Sequence, residues 1–187
     1  KVDAALGGAC IDGQAEQNGN LVTRNVCGLT DPTAHISLNF LGAPALTLRE
    51  FPTYRQNFLV GAGFRVTAPL GQYDPSRLVN IGTNRWSFKP ELAVSKAIGR
   101  LTLEALFAAT FFTDNTQSQA GLYSAQFNAL WITRSGIWGG AGVIYYAGGE
   151  SSVNGGTPST MQENSRAGAV LVFPIGKPNS LKLYWTT

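Results

Sequence analysis

The segment from Asn57 to Ala68 alternates strictly between two kinds of side chain for twelve residues. Phe58, Val60, Ala62, Phe64, Val66 and Ala68 fall on one face; Asn57, Leu59, Gly61, Gly63, Arg65 and Thr67 fall on the other. A period of two is the mark of a β-strand with two unlike faces. Strands of soluble domains run about five or six residues, whereas a tilted strand crossing a bilayer needs ~9–11. The length of the alternation therefore points to a membrane-spanning strand.

The same pattern returns along the chain. Ala34, Ile36, Leu38 and Phe40 oppose His35, Ser37 and Asn39. Trp86, Phe88, Leu92 and Val94 oppose Ser87, Lys89, Glu91 and Ser95. Leu101, Leu103, Ala105, Phe107, Ala109 and Phe111 oppose Thr102, Glu104, Ala108 and Thr110. Tyr123, Ala125, Phe127, Ala129 and Trp131 oppose Ser124, Gln126 and Asn128. Ala167, Ala169, Leu171 and Phe173 oppose Arg166 and Gly168, and Leu181, Leu183 and Trp185 oppose Ser180, Lys182 and Tyr184. With residues 2–11 and the weaker 136–147, nine strands are expected.

Orientation follows from charge. The apolar face carries almost none, and burying Arg or Lys at the bilayer midplane costs ~2–4 kcal/mol. The polar face carries a few scattered charges: Arg65, Lys89, Glu91, Glu104, Arg166 and Lys182. Only 13% of the chain is charged, far below the ~25–35% of a water-facing surface. The apolar face is thus expected to meet lipid and the polar face to line an interior, where those six residues are the candidates for a solute pathway. Loops agree: tight turns at 99–100, 134–135 and 176–179 alternate with long polar loops at 70–84, 114–121 and 149–163. Outer-membrane barrels have short periplasmic turns and long extracellular loops. Aromatics near strand ends (Trp86, Phe111, Phe112, Tyr123, Trp131, Tyr145, Tyr146, Trp185) suit interfacial girdles.

Some stretches depart from the pattern. Pro90 lies inside a strand and predicts a bulge or kink, because it donates no ladder hydrogen bond. Residues 42–55 read as a short helix from Thr47, with Leu48 and Phe51 against the barrel mouth, on the periplasmic side by loop parity. Residues 12–32 become an extracellular loop, which a Cys10–Cys27 disulfide would staple; two free thiols are the alternative.

Other classes are excluded. No apolar run of about 18 residues exists for a helical span. With 22 glycines and nine prolines a coiled coil is out, and 11% aromatic residues argue against disorder. The formal charge of +3, scattered along the chain, gives no nucleic-acid footprint. No metal-ligand spacing surrounds the cysteines, and no cofactor is expected. The chain begins without a signal peptide, and its C-terminus falls inside a strand. It reads as one outer-membrane barrel domain, residues 1–187, truncated at both ends.

The block LGQYDPSRLVNIGTNRWSFKPE at 70–91 is followed by VSKAIGRLTLEA and FFTDN. Together with LTDPTAHISLNFLGAPAL and RSGIWGGAGVIYYAGG, it resembles the MetA-pathway phenol-degradation family of outer-membrane β-barrels, from about residue 28 onward. The resemblance implies a transporter or channel for small, often aromatic or hydrophobic compounds.

Chemistry beyond passage finds little support. His35 and Ser37 share a strand face, as the base and nucleophile of an outer-membrane lipid hydrolase would, but no orienting acid lies nearby in sequence. Glu91 and Glu104 read as members of a charge-compensated interior network rather than an acid–base pair. Arg166 and Lys182 are expected to face one another on adjacent strands. Asp74, Asp114 and Glu150 read as solvated loop acids. Gly139, Gly140 and Gly142 lie in a strand pattern and permit close approach. The reading is an all-β, up-and-down antiparallel transmembrane β-barrel in a bacterial outer membrane. It is not an enzyme, its partners are outer-membrane lipids and a small solute, and its work is passive uptake. A lipid hydrolase and a soluble lipocalin-like binder are the alternatives.

Overall fold

The computed structural model describes residues 1–17, 20–50, 53–54, 56–77, 79–113, 117–153, 156–157, 159–176 and 179–187. Nine strands form one sheet: β1 (Val2–Ala5), β4 (Thr33–Leu41), β5 (Phe58–Thr67), β6 (Ser87–Ile98), β7 (Leu101–Phe112), β9 (Leu122–Ile132), β10 (Trp138–Gly148), β12 (Gln162–Ile175) and β13 (Asn179–Thr186), in that spatial order. Every neighbouring pair is antiparallel. This is the expected up-and-down order and strand number.

The two faces have the expected parity. Phe58, Phe64, Leu103 and Phe127 are 40–49% exposed, whereas Glu91 retains 11% side-chain exposure and Ser95 only 8%. Among the described residues Val172 is the only buried apolar side chain. A soluble barrel would fill its interior with the phenylalanines. Here the greasy face is open, while on the polar face Lys89, Glu91, Ser95 and Glu104 of the middle strands are sheltered and Arg65, Arg166 and Lys182 are exposed; phenylalanines left outside do not fit the lipocalin-like alternative.

Loop asymmetry holds as well. Each tight connection bends at a glycine in the left-handed region, as at Gly99 (φ 64°) and Gly136 (φ 82°), where a side chain would strain the backbone. At the opposite end the loops carry structure of their own. Short strands β8 (Gln117–Gln119) and β11 (Ser151–Val153) pair with each other, so two long loops interlock.

Four local expectations need correction. Residues 2–11 are not one strand: the chain leaves the sheet after Ala5 and enters a separate hairpin of β2 (Gly8–Gln17) and β3 (Asn20–Leu29). The expected loop is thus a β-ribbon, and Cys10 and Cys27, opposite one another in it, are disulfide-bonded. Pro90 causes no register shift. Phe88 pairs with Phe111 and Glu91 with Ala108, an unbroken register that simply lacks bridges at Lys89 and Pro90. The irregularity lies instead between Asn39 and Leu41.

The helix from Thr47 is a single capped turn. Thr47 N–H and Oγ1–H both donate to Glu50 Oε2 at 2.8 Å, and Tyr54 N–H closes onto Glu50 C=O at 3.1 Å. The Thr47 amide is the main cause holding the Glu50 carboxyl below its usual range. Leu48 is 95% exposed and packs on nothing; Phe51 lies outside the described residues.

Two of the girdle aromatics, Phe112 and Tyr146, belong to the inward parity. Trp86, Phe111, Tyr123 and Tyr145 do ring the long-loop end of the outer face, and Trp131 lies near the turn end. Trp185 pairs with Ala169, at mid-height rather than at an interface.

Candidate functional site

The inward face is built row by row from the registers. Near the long-loop end, Asp3, His35, Arg65 and Lys89 lie side by side on β1, β4, β5 and β6. One step down, Ser37, Gly63 and Glu91 form the next row. Polar groups approach one another across these rows: Lys1 Nζ and Asp3 at 3.1 Å, Asp3 and His35 Nδ1 at 3.6 Å, His35 Nε2 and Glu91 at 3.3 Å, and Glu91 and Lys89 Nζ at 3.0 Å. Gly63 makes room for them. A Cβ there would stand 2.8 Å from His35 Nε2 and 3.1 Å from a Glu91 carboxylate oxygen. Glycine at this point of the strand therefore lets imidazole and carboxylate fold flat against the wall.

Glu91 and Glu104 do lie on neighbouring strands, but at different heights. Glu91 is level with Ala108 and Glu104 with Ser95, four residues on, or ~13 Å at the usual strand rise. Glu104 accepts a 3.3 Å hydrogen bond from Asn128 Nδ2, and Gln126 Nε2 donates to Asn128 Oδ1 at 3.2 Å. They form no carboxylate pair. The facing of Arg166 and Lys182 is corrected too. Arg166 is level with Ile144 and Lys182 with Val172, six residues apart along β12, or ~20 Å. Both point inward by parity, yet their fields act at different depths.

No hydrolase pair is assembled. His35 turns Nδ1 toward Asp3 and Nε2 toward Glu91, and Nε2 makes no hydrogen bond with Ser37 or with any other described residue. An orienting acid is present in Asp3, but a base must also reach its nucleophile.

The two mouths are furnished differently. At the long-loop end Asp31 clamps the loop after β5: its carboxylate accepts from Gly71 N–H (2.8 Å), Thr83 N–H (2.7 Å) and Thr83 Oγ1–H (2.7 Å). Arg24 of the β2–β3 hairpin donates to Val79 C=O at 3.2 Å, tying hairpin to loop. Asp74 is not merely solvated. It accepts from Ser76 Oγ–H at 2.7 Å and Ser76 N–H at 2.9 Å, and these bonds hold its carboxyl below the usual range. Asp114 lies outside the described residues. Arg85 donates to the Gln119 side chain and lies 4.5 Å above the Phe112 ring. At the turn end Gln56 Nε2 donates to the buried Ser95 Oγ at 2.8 Å, so the stretch before β5 is anchored to the interior.

A second feature of the wall lies on β9–β13. An open recess of about 690 Å³ is bounded on the inward face by Glu104, Gln126, Asn128, Tyr146, Arg166 and Tyr184. Sequence periodicity placed Arg166 and Glu104 on this face. It did not reveal the recess, nor the joining of Asp3 and His35, because both depend on register between strands.

Comparison with known proteins agrees with this architecture. A family model described as "Putative MetA-pathway of phenol degradation" matches residues 10–187. No curated protein matches the chain. Among solved structures, an outer membrane channel from Pseudomonas putida F1 superposes with a TM-score of 0.70 at 18% identity, covering 99% of this chain and 76% of that one. The fold is that of a transmembrane antiparallel β-barrel.

Proposed function

We propose, because this chain belongs to the family of the MetA-pathway of phenol degradation, that it is an outer-membrane channel for passive uptake of a small aromatic or hydrophobic compound. The observation that carries this reading is the inverted wall: exposed phenylalanines outside, sheltered ions and amides inside. A wall of this kind is stable only where hydrocarbon replaces water around it. The structural neighbour, itself an outer membrane channel, supports the reading, as does the family's name.

In this mechanism the long loops control entry. The Asp31 clamp and the β8–β11 pairing hold them in fixed positions over the long-loop mouth. Inside, Arg65, Lys89, Glu91, Glu104, Arg166 and Lys182 line the path together with neutral amides. Polar groups fixed in place substitute for the water a solute sheds, so that it enters without being held too tightly to leave. The charge network of Asp3, His35, Glu91 and Lys89 is largely self-neutralising, so it narrows the path without imposing a strong field.

The test is reconstitution of the full-length protein in planar bilayers, with conductance recorded with and without an aromatic solute. Discrete conductance steps that the solute partly blocks are expected. Bilayers that stay silent, combined with no solute flux into liposomes, would overturn the proposal. Cell fractionation provides the matching check on location, with the protein expected in outer-membrane fractions.

A further inference from the structure

Arg65, Arg166 and Lys182 are inward cations without a carboxylate partner among the described residues, and of the three only Arg166 lines the recess on β9–β13. Near β1–β6, Lys1 and Lys89 each have a carboxylate within 4.0 Å. Arg166 has none among the described residues, and its side chain is exposed to the recess. The nearest acid in the lining, Glu104, lies three strands away, ~14 Å at the usual strand spacing. That carboxylate already accepts from Asn128.

Gly142 and Gly168 are direct partners in the β10–β12 register, one inward row below Ile144 and Arg166. At Gly142 a Cβ would collide with the Asn128 side-chain oxygen, so the Asn128 amide already lies over that glycine. At Gly168 the nearest side chain to such a Cβ is the Thr186 methyl at 3.4 Å, which leaves low floor there between the Arg166 guanidinium and the Asn128 amide. Tyr146 stands one inward row above Arg166, on the neighbouring strand. Such diagonal neighbours have side chains ~7–8 Å apart, close enough for one small ligand to touch both. The volume, about 690 Å³, lies within the ~300–1,000 Å³ usual for small-molecule sites.

We propose that this recess is a binding site for an aromatic monocarboxylate. Its carboxylate pairs with Arg166, its ring lies over Gly168 beside Tyr146, and ring substituents meet Gln126 and the Asn128 amide that covers Gly142. The proposal rests on the channel reading and narrows its solute class. A phenol is neutral at pH 7 and accepts only a single hydrogen bond from a guanidinium, whereas a benzoate gains a charge-assisted, two-point hydrogen bond. The site therefore prefers the acid over the phenol of equal ring size.

The experiment measures binding of benzoate, phenol and benzylamine to the full-length protein in a non-ionic detergent, by ligand-observed NMR. Benzoate is expected to bind most tightly, and Arg166→Gln to weaken it ~10-fold while leaving phenol within about twofold, since a hydrogen bond to a charged group is worth ~1.5–3 kcal/mol. Arg166→Lys is expected to recover part of the loss. Lys96→Gln, on the outward face level with Phe58 and Leu103, is expected to leave benzoate binding unchanged. Heat-modifiable migration on gels confirms that each variant is folded; should Arg166→Gln fail this, Arg166→Lys and competition by chloride carry the test. Benzoate binding no tighter than phenol, or equal in wild type and the Arg166 variants, overturns the proposal. Conductance in potassium chloride separates the two levels: a protein that conducts but ignores benzoate loses only this site, and one that never conducts loses the channel reading as well.

Discussion

Phe64 and Arg65 are adjacent in sequence and face opposite media, and that contrast carries most of the physics of this chain. Phe64 is 42% exposed and lies 6.4 Å from the ring of Phe88 on the outer face. Arg65 lies on the inward row between His35 and Lys89. Phe64→Arg, next to the row near the long-loop end, is therefore expected to destabilise, by less than the ~2–4 kcal/mol of a midplane site, read from urea unfolding in phosphatidylcholine vesicles. A Thr67→Arg change on the inward face should cost much less. Gly63→Leu tests the inward face by crowding: its side chain must displace His35 or Glu91, and overpacking of this kind costs ~1–3 kcal/mol. An unchanged unfolding midpoint for Gly63→Leu would show that the imidazole and carboxylate do not lie where described. Parity made the facing of Phe64 and Arg65 legible in the sequence. The meeting of Asp3, His35 and Glu91 was not legible, since four strands, β1, β4, β5 and β6, must be registered before those side chains become neighbours.

At the scale of elements, the β2–β3 hairpin shows where pattern reading stops. Its residues lack the long alternation of the membrane strands, so they read as loop, yet ten-residue strands pair there in full register. The Cys10–Cys27 bond joins positions 17 apart, and closing a loop of that size is worth ~3 kcal/mol in the chain-entropy account. The paired change Cys10→Ser with Cys27→Ser is expected to open residues 8–29 to limited proteolysis while the nine-stranded sheet stays resistant. Equal resistance in both forms would mean that the bond stabilises nothing locally. The turn at Thr47 is closed by Glu50, whose carboxylate accepts from both the Thr47 amide and hydroxyl, a contact that helix propensity for Thr–Leu–Arg–Glu alone does not weigh. In the loop after β5, hydrogen bonds from Ser76 lower the Asp74 pKa. A group lowered on folding stabilises the loop above its ordinary carboxylate value, and that contribution disappears as pH falls through the lowered one. The protection of the Ser76 amide relative to its intrinsic exchange rate at each pH should accordingly fall only in that acid range; protection already lost near neutrality would assign the loop's order to other contacts.

On the scale of the whole molecule, the chain is a wall without a core, and its stability must come from ladder hydrogen bonds and from the surrounding hydrocarbon. Strand count, antiparallel order and facing were all readable, because period-two alternation and loop asymmetry repeat many times and each repeat tests the others. The recess by Arg166 was not readable, because it is a property of four strands in register rather than of any one. The most direct test of the inverted wall is a nitroxide scan along β7, Leu101 to Phe112, in lipid bilayers, comparing collision with oxygen and with a water-soluble nickel complex. Labels at Leu103, Ala105, Phe107 and Ala109 are predicted to favour oxygen, and those at Thr102, Glu104, Leu106 and Ala108 the nickel complex, in strict alternation. Nickel access at the odd positions, or no alternation at all, would contradict the account.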